Sequence, residues 1–110
     1  MTVDEESHRL FSYIVSNKNV ELLTTGMVVR VFKKLYSSII TEDKAGKILR
    51  NLSSVEIEML KEVIYFSDRE IESSTYESMT DDQKENAEIY FVPTNKLIEI
   101  RKNANEKYSF

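Results

Sequence analysis

Glycine and proline are nearly absent from this chain. Their scarcity limits the folds that the chain can adopt more than any other feature of the sequence. The 110 residues include two glycines, Gly26 and Gly46, and one proline, Pro93. An all-β sandwich or barrel needs many tight turns, which use these residue types, whereas helices joined by short connections do not. A chain of this length buries one core of modest size. We therefore expect one compact, mainly α domain of four or five helices over residues 1–110.

The residue types on which most enzymes and metal sites depend are also scarce. The chain has no cysteine and a single histidine, His8, so disulfides, thiolate metal sites and mechanisms with two imidazoles are excluded. Asp4 and His8 are one helical turn apart, but two ligands without a third make a weak metal site. The widely separated glycines exclude a glycine-rich phosphate loop. We expect no enzymatic activity, no cofactor and no metal.

The distribution of apolar residues gives an expectation about membranes and location. No apolar stretch approaches the length of a membrane span, and the first six residues, Met-Thr-Val-Asp-Glu-Glu, are acidic rather than apolar. A helix that binds a membrane surface needs a wide basic face. The segment 27–40 has too wide an apolar face for that role. We expect a cytoplasmic protein with no membrane partner.

Apolar residues at helical spacing predict helices over residues 3–16, 27–40 and 53–72. Acidic residues at the start and basic residues at the end of 42–50 predict a further, short helix there. The polar residues of 27–40 fall within an arc of about 140°, so this helix should be the central one, with neighbours on two or three sides. Thr41 is the expected N-cap of the short helix 42–50.

The start of the fourth predicted helix carries the clearest local signal. Ser53 and Glu56 form a capping box, and Leu52 and Ile57 form a hydrophobic staple around it. This pattern predicts a helix that runs from Ser53 to about residue 72.

The last third of the chain is less regular. Small polar residues predict a surface loop over 73–79, and Thr80 with Gln83 predicts a capped helix that ends at about residue 87. The polar composition of residues 102–110 predicts a C-terminal tail without regular structure.

Two structures are compatible with residues 88–101. They form a β-hairpin with Pro93 in its turn, or Thr94 caps a last helix that carries Leu97, Ile98 and Ile100. Pro93 excludes one continuous helix in either case.

Charge is distributed unevenly along the chain. The net charge of −4 combines a net of +4 over residues 18–50 with a net of −8 over residues 51–88. This asymmetry suggests a molecule with two oppositely charged faces, either of which could steer a complementary partner. The candidate basic face consists of Arg30, Lys33, Lys34, Lys44, Lys47 and Arg50. The candidate acidic face consists of Glu58, Glu62, Asp68 and Glu72.

These features together favour a protein that acts by contact. We expect a small non-enzymatic regulator or adaptor whose partner is another protein or a second copy of itself. An inhibitor from a phage or mobile element fits, as does a subunit of a larger assembly. The abundance of Lys, Ile, Asn and Tyr hints at an AT-rich genome.

The alternative is a winged-helix DNA-binding regulator. The segment Leu52-Ser53-Ser54-Val55-Glu56 resembles the helix openings of bacterial winged-helix regulators, and helices followed by a hairpin match the order of that α+β fold. Lys44, Lys47 and Arg50 would then contact phosphates from helix 42–50. The many carboxylates after residue 52 disfavour this alternative, because a surface that faces DNA should be neutral or basic.

Overall fold

The chain folds into an α+β domain in which helices pack on one face of a small antiparallel sheet. The computed structural model describes the backbone of residues 3–108 and the side chains of residues 4–104. Within that range it has six helices and three strands, in the order α1 (Val3–Ser16), α2 (Thr25–Tyr36), α3 (Glu42–Leu52), β1 (Leu60–Phe66), β2 (Arg69–Ile71), α4 (Ser73–Glu77), α5 (Asp81–Glu85), β3 (Glu88–Pro93) and α6 (Asn95–Tyr108). The expectation of a mainly α fold is therefore only partly correct, since a three-stranded antiparallel sheet packs with the helices.

Three predicted helices are present, and local caps explain two of their starts. The helix predicted over 3–16 is α1, and the one over 42–50 is α3, where the Thr41 hydroxyl accepts a hydrogen bond from the Lys44 amide at 3.1 Å. The capping box of Thr80 and Gln83 has both of its hydrogen bonds and begins α5. The sequence also predicts Thr2, with Glu5 three residues later, as the cap of α1, and Thr2 lies outside the described residues. Capping is a local interaction, which is why the sequence alone predicts it.

Helix α2 is shorter than the predicted helix 27–40. It begins at Thr25, with Thr24 as its N-cap, and ends at Tyr36. Ser37 then adopts a left-handed backbone conformation with φ of 50°, and the Ser38 amide donates to the Phe32 carbonyl at 3.1 Å. A left-handed residue after the last turn is a common way for a helix to end. Ile39 and Ile40 therefore lie beyond the helix.

The helix predicted over 53–72 is wrong. Ser53 ends α3 instead of beginning a new helix, and its hydroxyl donates to the Leu49 carbonyl at 2.7 Å. A single turn follows, and Glu58, with φ of 51°, ends it. Residues 60–66 then form β1, which contains the β-branched and aromatic side chains that pack well on a pleated sheet.

The sheet has the order β2-β1-β3 and is antiparallel throughout. Strands β1 and β2 are joined by Ser67 and Asp68, whose φ angles of 52° and 63° are both positive. Such a pair of residues is typical of the two-residue hairpin turn whose twist matches that of the flanking strands. Leu23 adds one further antiparallel bridge, with two hydrogen bonds to Phe91 of β3.

The second of the two structures considered for residues 88–101 is correct, and the hairpin is wrong. Residues 88–93 form β3, which pairs with β1 along its length. The Thr94 hydroxyl then accepts from the Leu97 amide at 3.3 Å and begins α6. The helix continues to Tyr108, so residues 102–108 belong to it and do not form a tail. Part of the loop predicted over 73–79 is the short exposed helix α4.

The core lies between α1, α2, α3, α6 and the inner face of the sheet. Its fully buried side chains include Leu10 and Ile14 of α1, Phe32 of α2 and Leu97 of α6. The Arg101 guanidinium fixes α6 to the end of α1 through hydrogen bonds to three backbone carbonyls. None of the helices in the described range is long and apolar enough to cross a membrane.

Candidate interaction surfaces

The six residues of the candidate basic face lie on two adjacent helices. Arg30, Lys33 and Lys34 are exposed on α2, and Lys47 and Arg50 are exposed on α3. Helix α2 contains no acidic residue, whereas α3 begins with the exposed pair Glu42 and Asp43. The net positive charge of this region is therefore concentrated on α2.

Lys44 has a different environment from the other five cations. Its side chain is 36% exposed, and its Nζ lies 2.5 Å from Oε1 of Glu6, which is 1% exposed. The Glu6 carboxylate makes no further hydrogen bond within residues 4–104. A buried carboxylate is costly without a counter-ion, so Lys44 neutralises Glu6 and joins α3 to α1. The sequence contained no signal for this pair, because the two residues are far apart in the chain.

One flank of α2 carries apolar side chains that no other element covers completely. Met27, Val31 and Leu35 recur every four residues, and Leu35 is 54% exposed. They line a groove of about 370 Å³ together with Tyr13 of α1 and the cations Arg30 and Lys34. We call it the α2 groove.

The prediction that α2 is the central helix is therefore wrong. Val28 and Phe32 are its only buried residues in the described structure. Part of the wide apolar arc of this helix therefore lies at the surface and not in the core.

The four residues of the candidate acidic face do not lie on one helix. Glu58 is in the turn before β1, Glu62 is within β1, Asp68 is in the hairpin turn and Glu72 precedes α4. Acidity is instead a property of the whole connection between β1 and β3. Residues 67–88 contain eight carboxylates and two cations, a net charge of −6. Helices α4 and α5 within it bury no side chain.

A second groove, of about 670 Å³, lies beside α6. Val92, Pro93 and Ile98 form its apolar part, and Ile98 is 51% exposed. Its charged residues are Lys18, Glu21, Arg101 and Lys102. We call it the α6 groove. The sequence contains no signal that brings these charged residues together, because the contact between the end of α1 and α6 is formed only in the fold.

The aromatic side chains of the sheet form a third feature. Tyr65 and Tyr90 pack edge to face, with ring centroids 5.9 Å apart. The Tyr90 hydroxyl donates to the Glu88 carboxylate at 2.6 Å, and this hydrogen bond raises the pKa of Tyr90 above its ordinary value. The negative charge favours the protonated phenol.

Comparisons with protein-family models, with curated proteins and with solved structures find no match. Within the described residues, no group of three or more His, Cys, Asp or Glu side chains is arranged to hold a metal ion.

Proposed function

We propose that this chain is a non-enzymatic regulator or adaptor that binds another protein through the α2 groove. The observation that carries the proposal is the apolar stripe of Met27, Val31 and Leu35, in which Met27 and Val31 are half-buried and Leu35 is exposed. Contiguous apolar side chains that remain partly exposed in a groove are a feature of interaction sites, whereas scattered single ones are not. The stripe is about 12 Å long, which is slightly more than two helical turns.

The partner that best fits this groove is an acidic amphipathic helix. Apolar side chains spaced three or four residues apart can dock between Tyr13 and Leu35, as in other helix-in-groove interactions. Arg30 and Lys34 line the same groove, and no carboxylate does so among the described residues. Glutamates on the flanks of the partner helix would therefore complement its charge.

A second copy of this chain is a poorer partner for the α2 groove. Two copies related by a twofold axis would bring Arg30 and Lys34 of one chain against the same cations of the other, and like charges oppose each other. The acidic connection between β1 and β3 also fits poorly, because α4 and α5 each have five residues. Helices that short cannot present an apolar stripe over two turns.

DNA binding is the second candidate function, and one observation favours it. Helices α1 to α3 precede the hairpin of β1 and β2 and the returning strand β3, and Leu23 pairs with β3. We propose that this order is a winged helix-turn-helix arrangement, with residues 67–88 as an enlarged wing. In that arrangement α3 is the helix that would enter the major groove.

The charges of α3, the proposed recognition helix, and of the proposed wing oppose DNA binding. Glu42 and Asp43 occupy the start of α3, and the wing carries a net charge of −6. Of the three cations expected to contact phosphates, Lys44 already pairs with Glu6. We therefore favour the protein-binding function on a winged-helix framework.

A synthetic helical peptide provides the test. The probe is an acidic peptide of about 14 residues with leucines at three- and four-residue spacing and glutamates beside them. We expect the wild type to bind it, and Leu35→Glu to weaken binding by about tenfold or more. Lys47 is exposed on α3 and does not line the α2 groove, so Lys47→Glu, a charge change of −2, should change affinity by less than about threefold.

Fluorescence anisotropy measures these affinities, and amide shifts in nitrogen-15 NMR spectra locate the site at residues 13 and 27–35. Equal binding by Leu35→Glu and wild type would contradict the docking site. A peptide with lysines in place of glutamates should bind at least about tenfold more weakly. A gel shift of duplex DNA by the wild type that persists at about 150 mM salt would instead favour the DNA-binding alternative.

A further inference from the structure

Arg101 is a buried cation without a carboxylate partner in the described structure. It is 8% exposed, and no Asp or Glu of residues 4–104 forms an ion pair with it. Its Nε donates to the Ile14 carbonyl at 2.8 Å, and Nη2 donates to the carbonyls of Asn17 and Val20 at 3.3 and 3.0 Å. Nη1 makes no hydrogen bond within the same range. Burial lowers the pKa of Arg101, since it disfavours the charged form.

Backbone carbonyls compensate only part of this charge. The carbonyl end of α1 carries the equivalent of about half a negative charge, which is less than the full charge of a guanidinium. Lys18 and Lys102 line the same groove and add two positive charges, while Glu21 adds one negative charge. The α6 groove therefore has a net charge of +2 from its four charged side chains.

The remaining surface of the α6 groove is apolar. Val92 and Pro93 come from the end of β3, and Ile98 comes from the first turn of α6. The volume of about 670 Å³ lies within the usual range for small-molecule sites. The groove therefore combines an apolar surface with a buried cation whose charge is only partly compensated. A molecule that complements it has an apolar part and a negative charge.

We infer that the α6 groove binds an organic anion with an apolar body, such as a medium-chain carboxylate. Its carboxylate would interact with the cations Lys18, Arg101 and Lys102, and its chain would cover Ile98 and the end of β3. A small inorganic anion would leave the apolar part of the groove exposed to water. A neutral lipid would leave the charge of Arg101 only partly compensated. This site shares no residue with the α2 groove, so the inference does not depend on the proposed function.

Octanoate is a suitable probe because it is soluble and combines one carboxylate with a short alkyl chain. In a nitrogen-15 NMR titration of the full chain, we expect saturable amide shifts at residues 18–21, 92–93 and 98–102. The expected Kd is about 0.1–1 mM, in line with the affinity that a ligand of this size reaches. Octanol, which has nearly the same chain without the charge, should bind at least about tenfold more weakly, and octylammonium should not bind at this site.

Variants of exposed residues test the site without disturbing the fold. Ile98→Glu should abolish saturable binding, and Lys102→Glu should weaken it by about fivefold or more. Leu35→Glu is the matched control, because it places the same charge at another half-exposed apolar position and should bind octanoate like the wild type. Absence of saturation up to about 10 mM octanoate, equal affinity for octanol, or unchanged binding by Ile98→Glu would each overturn the inference.

Discussion

Replacement of Lys44 by methionine provides the most direct test of the charge assignments. Glu6 is 1% exposed, and Lys44 is its ion-pair partner at 2.5 Å. Removal of one member of a buried ion pair costs about 3–5 kcal/mol, because the other charge remains buried without compensation. Lys44 is 36% exposed, so water screens part of the interaction and the lower end of that range applies. We therefore expect Lys44→Met to lower the free energy of unfolding by about 3 kcal/mol.

Urea denaturation followed by circular dichroism measures this loss. In a thermal scan, the same loss should lower the Tm by on the order of 12–20 °C for a domain of this size. Lys47→Met is the matched control, since Lys47 is exposed on the same helix and should change stability by less than about 0.5 kcal/mol.

A second substitution separates the burial of charge from other effects of losing Lys44. Glu6→Gln in the Lys44→Met background removes the uncompensated charge and keeps a side chain of similar shape. We expect the double variant to be more stable than Lys44→Met by about 1–2 kcal/mol. Equal stability of Lys44→Met and Lys47→Met, or further destabilisation of the Lys44→Met protein by Glu6→Gln, would contradict the assigned role of the ion pair.

Three further predictions concern the core, the hairpin and one tyrosine. Phe32→Ala should lower the free energy of unfolding, measured by chemical denaturation, by about 3–5 kcal/mol because Phe32 is fully buried. Lys33 is exposed, so Lys33→Ala should lower it by less than about 0.5 kcal/mol. Equal losses would mean that the orientation of α2 is wrong. Asp68→Gly should raise the free energy of unfolding by about 0.5–1 kcal/mol, because glycine adopts the φ of 63° without strain, and a loss of stability would contradict the turn. Glu88→Gln should return the pKa of Tyr90 toward its ordinary value of 10.0 in an NMR titration of the ring. Since the folded pKa is raised, the stability that Tyr90 contributes is present below pH 10 and lost as the pH rises through the folded pKa, and this loss should be smaller in Glu88→Gln.

The parts of the fold that the sequence predicts correctly are those that local interactions determine. Thr41 and Thr80 each accept a hydrogen bond from an amide three residues later, so a short segment contains all the information for these helix starts. Thr94 acts in the same way at the start of α6. Helix α1 follows from its apolar spacing.

The incorrect prediction over 53–72 arises because a strand depends on distant partners. Residues 60–65 pair with residues 88–93, and a single sequence contains no direct signal of that pairing. Leu60 and Ile64 are four residues apart, which fits one face of a helix as well as two inward positions of a strand. The hairpin turn was missed because Ser67 and Asp68 replace the Asn-Gly or Asp-Gly pair that usually indicates it.

The distinction between core and exposed surface on α2 could not be predicted either. Phe32 and Leu35 are both apolar residues of α2, yet Phe32 is fully buried and Leu35 is 54% exposed. Their difference depends on where α1 and α3 lie around α2, which is a property of the tertiary packing. The basic residues of α2 were identified from sequence, but their position beside an apolar groove was not.

The positions of the cations connect the fold with the proposed function. Three of them, Lys44, Lys47 and Arg50, lie on α3, where they would be the residues to contact phosphates. Lys44 is engaged with Glu6, and the remaining pair, Lys47 and Arg50, is matched in charge by Glu42 and Asp43. Helix α2 has three cations and no carboxylate, and it has the partly exposed apolar stripe as well. A phosphate backbone would leave that stripe uncovered, whereas an acidic amphipathic helix would cover it and match its charge.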